Sequence, residues 1–259
     1  MTISLPDERP FAARMKPAHK WLMWLGITAS ADVVSYVWLD RPIALWAHEH
    51  LHQYDLFAKL TYIPEIISPV VILAFAAIGL WALSGRALSK FQTVAVLAAA
   101  SLAVAAGVKD QLKLVFGRTW PETWVRDNPS FIRDGVYGFN PFHGGPGFAA
   151  FPSGHTTAIC AVMSVLWICY PRYRALCGIC MAAVALGLVG ADFHFLGDVI
   201  AGAFLGVSTG WLTVVLWERG QHHLRPAMTP DFPGESDRNL APDFHYLVPR
   251  KAKEVGPVN

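Results

Sequence analysis

The chain has 259 residues, of which 54% are hydrophobic and 15% charged, with a formal net charge of +2. Soluble domains carry about 25% charged residues, so this composition excludes an ordinary soluble core and predicts a polytopic membrane protein. The near-neutral charge gives no footing to a nucleic-acid partner.

Residues 1–19 form a polar arm that carries Arg9, Arg14 and Lys16. A first span is predicted over residues 20–39, with Asp32 set in the middle of it. The "ASA" at 29–31 has a signal-peptidase pattern. The preceding arm is long and contains Asp7 and Glu8, and the apolar run resumes after Asp32, so the segment reads as an uncleaved span. "HEHLHQYD", residues 48–55, would put His48 and His52 on one helix face. No cysteine or carboxylate set completes a convincing metal site, so an interfacial polar helix is expected there.

Further spans are predicted over 57–83, 92–116, 154–170, 175–193 and 195–217. Each has close to the ~20 residues that cross ~30 Å of hydrocarbon. The fold class is therefore an all-α helical bundle of about six transmembrane helices, occupying residues 20–217. "CGIC", Cys177 to Cys180, lies in the fifth span without a βαβ pattern, and its cysteines read as small apolar packing residues. Residues 218–259 are rich in Pro, Asp and Arg and read as a flexible cytoplasmic tail.

Basic residues occur in the N-terminal arm, at Arg86 and Lys90, at Arg172 and Arg174, and at Arg219 and Arg225. Cytoplasmic segments collect such residues. The opposite side then holds 40–56, the long loop 117–152 and the turn near 194. That loop carries Arg118, Arg126 and Arg133 against the rule, and a length seldom needed for a plain connector. Its aromatic residues suit interface anchoring, or a lid that guides a lipid head group.

Three pieces on this side carry chemistry. In "FPSGHTT", residues 151–157, Ser153 is a natural helix N-cap, Gly154 lets an anion approach, and His155 falls in the first turn. An ordinary cap with an interfacial histidine remains the alternative. In "HFLGD", His194 and Asp198 are four residues apart and share a helix face. The carboxylate can fix the imidazole tautomer and free the other nitrogen as a nucleophile, or the two can form a self-satisfied structural pair. Lys109 and Lys113 lie on one face near the end of the third span, with Arg118 beyond Gly117. They could bind phosphate, or snorkel to an interface. Together the pieces suit phosphoryl transfer through a phosphohistidine, with cations and backbone N–H groups on the non-bridging oxygens.

These residues resemble the type-2 phosphatidic acid phosphatase superfamily, whose pattern is K-x6-R-P, P-S-G-H and S-R-x5-H-x3-D. "PSGH" at 152–155 and "HFLGD" at 194–198 match. The resemblance implies His194 as nucleophile, Asp198 as its orienting carboxylate, His155 as acid/base, and Ser153 and Gly154 as phosphate ligands. It implies no metal and no cofactor. The pattern's arginine positions hold Trp120, counting from Lys113, and Leu188. Arg118 is the expected replacement in the phosphate clamp, beside Lys113 and Lys109, with Arg126, Arg133 and His143 as weaker candidates. Asp192 is expected to pair with Arg118 or to modulate His194.

The expected function is hydrolysis of a lipid phosphate or pyrophosphate monoester at the outer face of the cytoplasmic membrane. The expected partners are that lipid substrate and the surrounding membrane lipids, with the oligomeric state left open. Phosphoryl transfer to another alcohol, haem ligation by paired histidines, and a non-catalytic lipid-binding relative are the competing readings.

Overall fold

A computed structural model describes residues 17–124 and 126–224. The expected arm, and the expected tail from residue 225, lie outside the described residues. Helix α1 (Pro17–Val34) passes through a π-helical turn, Ser35–Leu39, directly into α2 (Asp40–His50). The expected connector at 40–56 is thus mostly helix. Pro42 does not stop it, because the first turn of a helix has no use for its own N–H groups. Short helix α3 (Asp55–Leu60) leads into α4 (Tyr62–Ala82).

Helix α5 (Lys90–Phe116) starts at a capping box in which Ser89 and Gln92 satisfy each other's backbone donors. It stops at Gly117, whose φ of +56° is left-handed. A Cβ there would sit 1.8 Å from the Asn140 carbonyl oxygen, so only glycine fits the position. The loop that follows is folded upon itself. It holds one helical turn, α6 (Phe131–Asp134), a 3-10 turn at Pro146–Phe148, and isolated bridges from Arg118 to Phe139 and Ala149 and from Trp120 to Ser130.

Helix α7 (Gly154–Cys169) forms the centre of the bundle, and Ile159, Ala161 and Val165 on it are fully buried. Helix α8 (Arg174–Gly190) and helix α9 (Leu196–Leu224) complete the fold. The last helix continues past the predicted limit at 217 and reaches His222 and His223, whose side chains lie outside the described residues.

Gly202, Gly206 and Gly210 face α7 along one stripe of α9. A Cβ at Gly206 would stand 2.5 Å from the Thr157 carbonyl oxygen, and one at Gly202 2.7 Å from that of Ser153. Small residues at this spacing let two membrane helices touch backbone to backbone.

Among the described residues, five helical stretches are long and apolar enough to cross a membrane, and α7 is a shorter apolar helix between them. Large apolar side chains on the outer faces, among them Trp24, Ile66, Leu73 and Leu80, are exposed. In water such a surface would aggregate; against lipid it is the expected one. The molecule is an all-α polytopic membrane bundle. Cys177 is buried and all four cysteines are free thiols, in keeping with a packing role.

Candidate active site

Two chain breaks meet at one end of the bundle. The first is the turn before α7, where the Ser153 side chain caps the helix by accepting from the Thr156 N–H. The second is the turn between α8 and α9, which carries His194. The Ser153 N–H donates to the Asp198 carbonyl oxygen at 2.9 Å and ties one turn to the other. The glycine stripe of α9 makes this approach possible, since it begins one turn below that bond.

His194 is buried, and its Nδ1 lies 3.3 Å from Asp198 Oδ2. The same oxygen accepts from the Phe195 N–H at 3.0 Å. The four-residue spacing therefore works as expected, and Nε2 is left for other chemistry. Burial holds the His194 imidazole below the ordinary histidine range, against the pull of Asp198. The Lys113 charge acts in the same direction. Trp120 packs over it with ring centroids 4.9 Å apart. The Trp120 indole N–H donates to the Pro146 carbonyl oxygen at 2.7 Å, which anchors the loop over the site.

Lys113 Nζ donates to the Ala149 carbonyl oxygen at 2.5 Å and stands 5.6 Å from the Trp120 ring. Lys109 lies beside the α7 turn, its Nζ 3.8 Å from where a Gly154 Cβ would be. A cavity of about 280 Å³ opens next to Lys113, lined by Asp110, His143, Gly144, Phe148 and Ala149 among others. His155 Nε2 is 3.2 Å from Glu65 Oε1 on α4, a partner with no signal in the local sequence.

Arg118 is placed differently from expectation. It is 1% exposed, and its guanidinium bridges two buried carboxylates: Nη1 donates to Asp198 at 2.6 Å and Nη2 to Asp40 at 2.5 Å. The rings of Tyr36, Tyr137, Phe139 and Phe195 surround it. The two carboxylates hold it firmly in the charged state, against the cost of burial. The expected place of Arg118 in a phosphate clamp is not the one the geometry gives it: both ends of its guanidinium are paired with Asp198 and Asp40. Asp40 also accepts from the Ser35 hydroxyl at 2.7 Å and the Gly197 N–H at 3.0 Å. This makes Asp40 the keystone of the network and the residue that sequence reasoning missed.

Asp192 does not meet Arg118 either. Its Oδ2 lies 2.9 Å from His48 Nδ1 and 3.2 Å from His52 Nδ1. The expectation that no carboxylate joins these histidines fails, because Asp192 arrives from 140 or more residues away. Of the weaker clamp candidates, Arg133 pairs with Asp127 and Asp134 in the loop, and the His143 ring packs on Phe148.

The PAP2 superfamily model matches residues 94–221. A lipid A 1-phosphatase of Rhizobium johnstonii is 28% identical over 212 residues, covering 78% of this chain and 83% of its own. A lipid A 1-phosphatase of Rhizobium etli is 26% identical over 211 residues, covering 78% and 88%. A PAP2-type phosphatidylglycerolphosphate phosphatase from Bacillus subtilis superposes with a TM-score of 0.48 at 14% identity, over 79% of this chain and 98% of that chain.

Proposed function

The chain belongs to the PAP2 superfamily, and we propose that it removes phosphate from a membrane lipid through a phosphohistidine on His194. The observation that carries this reading is the His194 ring, buried and held by Asp198, on a turn that the Ser153 N–H ties to the start of α7. The similarity to lipid A 1-phosphatases makes a phosphorylated glycolipid of that kind the preferred substrate.

In this reading His194 passes its Nδ1–H hydrogen bond to Asp198 and uses the Nε2 lone pair on phosphorus. The N–P bond forms as the P–O bond to the lipid breaks. His155 supplies the proton to the departing lipid oxygen, then accepts one from the water that cleaves the N–P bond. Glu65, in contact with His155, steadies that ring through both halves. Lys113, Lys109 and the free N–H groups at the start of α7 hold the non-bridging oxygens, with Ser153 and Gly154 shaping the turn. Arg118 and Asp40 are positioning residues behind Asp198. The residues named here supply the charge without a metal ion. The distribution of basic residues supports a position of this end of the bundle on the periplasmic or extracellular side of the cytoplasmic membrane.

One observation favours a second reading. Trp120 and Leu188 occupy the positions where the family pattern has arginine. Each lost oxyanion donor costs ~2.7–4 kcal/mol in the transition state, which suits a lipid-binding relative without turnover. Purified protein given a phosphorylated glycolipid in mixed micelles separates the two. Phosphate release that disappears in His194→Ala supports the enzyme. Lipid binding with no release from the unaltered protein supports the binder.

A further inference from the structure

The cluster of His48, His52 and Asp192 is not used by the chemistry above. His48 is in the last turn of α2, His52 follows it, and Asp192 is in the α8–α9 turn. Their donor atoms all lie within 4.8 Å of one another. Both imidazoles turn Nδ1 toward the same oxygen, Asp192 Oδ2, at 2.9 and 3.2 Å. A second carboxylate approaches from the loop, with Glu122 Oε2 3.4 Å from His48 Nδ1. The Asp192 side chain is fully buried, and its Oδ1 has no hydrogen-bond partner.

We propose that His48, His52 and Asp192, with Glu122 as a fourth donor, bind a zinc-class divalent cation at the rim of the histidine centre. Two imidazoles with one or two carboxylates form a donor set for zinc, whereas magnesium and calcium require mostly oxygen. Zinc bonds to nitrogen and oxygen are ~2.0–2.2 Å in a tetrahedron, so neighbouring donors stand roughly 3.3 Å apart. The observed separations of 2.9, 3.2 and 3.4 Å bracket that value. An ion drawn among the four would bear on two carboxylate oxygens, one each from Asp192 and Glu122, and on the Nδ1 atoms of His48 and His52.

The site would clip three segments that otherwise meet through packing and the histidine–carboxylate contacts alone. Glu122 is two residues from Trp120, which covers His194, and Asp192 is two residues before His194. The ion thus fastens the end of α2 and the loop to the turn that carries the imidazole. It stands outside the phosphoryl-transfer steps, so its loss loosens the turn without removing a reacting group.

The test uses the full chain in detergent micelles after chelation. Titration with zinc chloride should give one ion per chain and raise the melting temperature, while magnesium chloride should do neither. Cobalt(II) should give the visible ligand-field bands of a tetrahedral site in the unaltered protein, so this measurement does not depend on any variant folding. His48→Ala with His52→Ala should weaken zinc binding by more than the ~10–100-fold that loss of an outer-shell partner costs. Glu122→Gln should weaken it less and shift the cobalt spectrum. Absence of stoichiometric zinc binding overturns the proposal and leaves two histidines hydrogen-bonded to Asp192. Zinc binding that survives the double variant overturns it as well, and points to other donors.

Discussion

Replacing Asp40 by Asn tests whether the buried network governs the site. Asp40 is 1% exposed and accepts from Arg118, Tyr137, Ser35 and Gly197 on its two oxygens. An asparagine keeps the shape but has one acceptor oxygen and one donor nitrogen. Its least costly orientation keeps the oxygen on Arg118 and Tyr137. The Ser35 hydroxyl can turn and accept, but the Gly197 N–H then faces another donor. An unsatisfied buried donor costs ~1–3 kcal/mol, and the charge-assisted bond to Arg118 loses about half its strength. The sum, about 2–4.5 kcal/mol, overlaps the ~3–5 kcal/mol range for breaking a buried ion pair by one partner. At ~2–4 °C per kcal/mol the melting temperature should fall by roughly 4–18 °C. Asp198 would lose its fixed counter-charge geometry, and turnover should drop on the order of 10²-fold, the cost of a 1 Å misplacement at a reacting centre. Thermal unfolding in detergent and phosphate release on the same preparations measure both. Asp127→Asn, in an exposed pair with Arg133, is the control and should shift stability by less than ~1 kcal/mol. Unaltered melting and unaltered turnover in Asp40→Asn would refute the argument that Arg118 holds Asp198 through this network.

Lys113→Met should lower the rate by ~10²–10³-fold with little change in melting, since it removes one oxyanion donor; phosphate release reads it. Gly206→Ala should destabilise the bundle by about 1–3 kcal/mol, because the new Cβ would stand 2.5 Å from a backbone oxygen of α7. Gly107→Ala, with nothing within 4 Å, should instead leave melting unchanged or raise it by the equivalent of ~0.5–1 kcal/mol. Arg118→Lys should not rescue Arg118→Met in melting or in turnover, because a single ammonium cannot bridge two carboxylates on opposite sides.

The spans were legible because ~20 apolar residues in a row have few other uses, and each predicted span corresponds to a helix. The pairing of His194 with Asp198 was legible because both lie on one helical turn. What escaped was everything joined across the chain. Asp40 carries no local mark: one acidic residue between two apolar helices reads as an interface charge. Its partner is 78 residues distant. Arg118 was visible as a misplaced positive charge, but its sequence neighbourhood does not distinguish facing a phosphate from facing two carboxylates. His48 and His52 share a helix face in the sequence, but Asp192 stands far from them along the chain, and only the packing of α2 against the α8–α9 turn brings the three together. Glu65 was hidden in the same way, one polar residue in the first turn of an apolar helix.

Helix α7 has 16 residues, which at 1.5 Å each span ~24 Å. That is ~6 Å short of the hydrocarbon thickness. A helix of that length would leave the Ser153 turn, and the imidazoles near it, about 6 Å short of the far edge of the hydrocarbon. A lipid whose phosphate sits at the bilayer boundary can reach that depth by settling slightly inward with its tails still in oil. Water-soluble phosphate esters would have to leave their solvent to follow, so the short central helix acts as a filter for molecules already at home in the membrane.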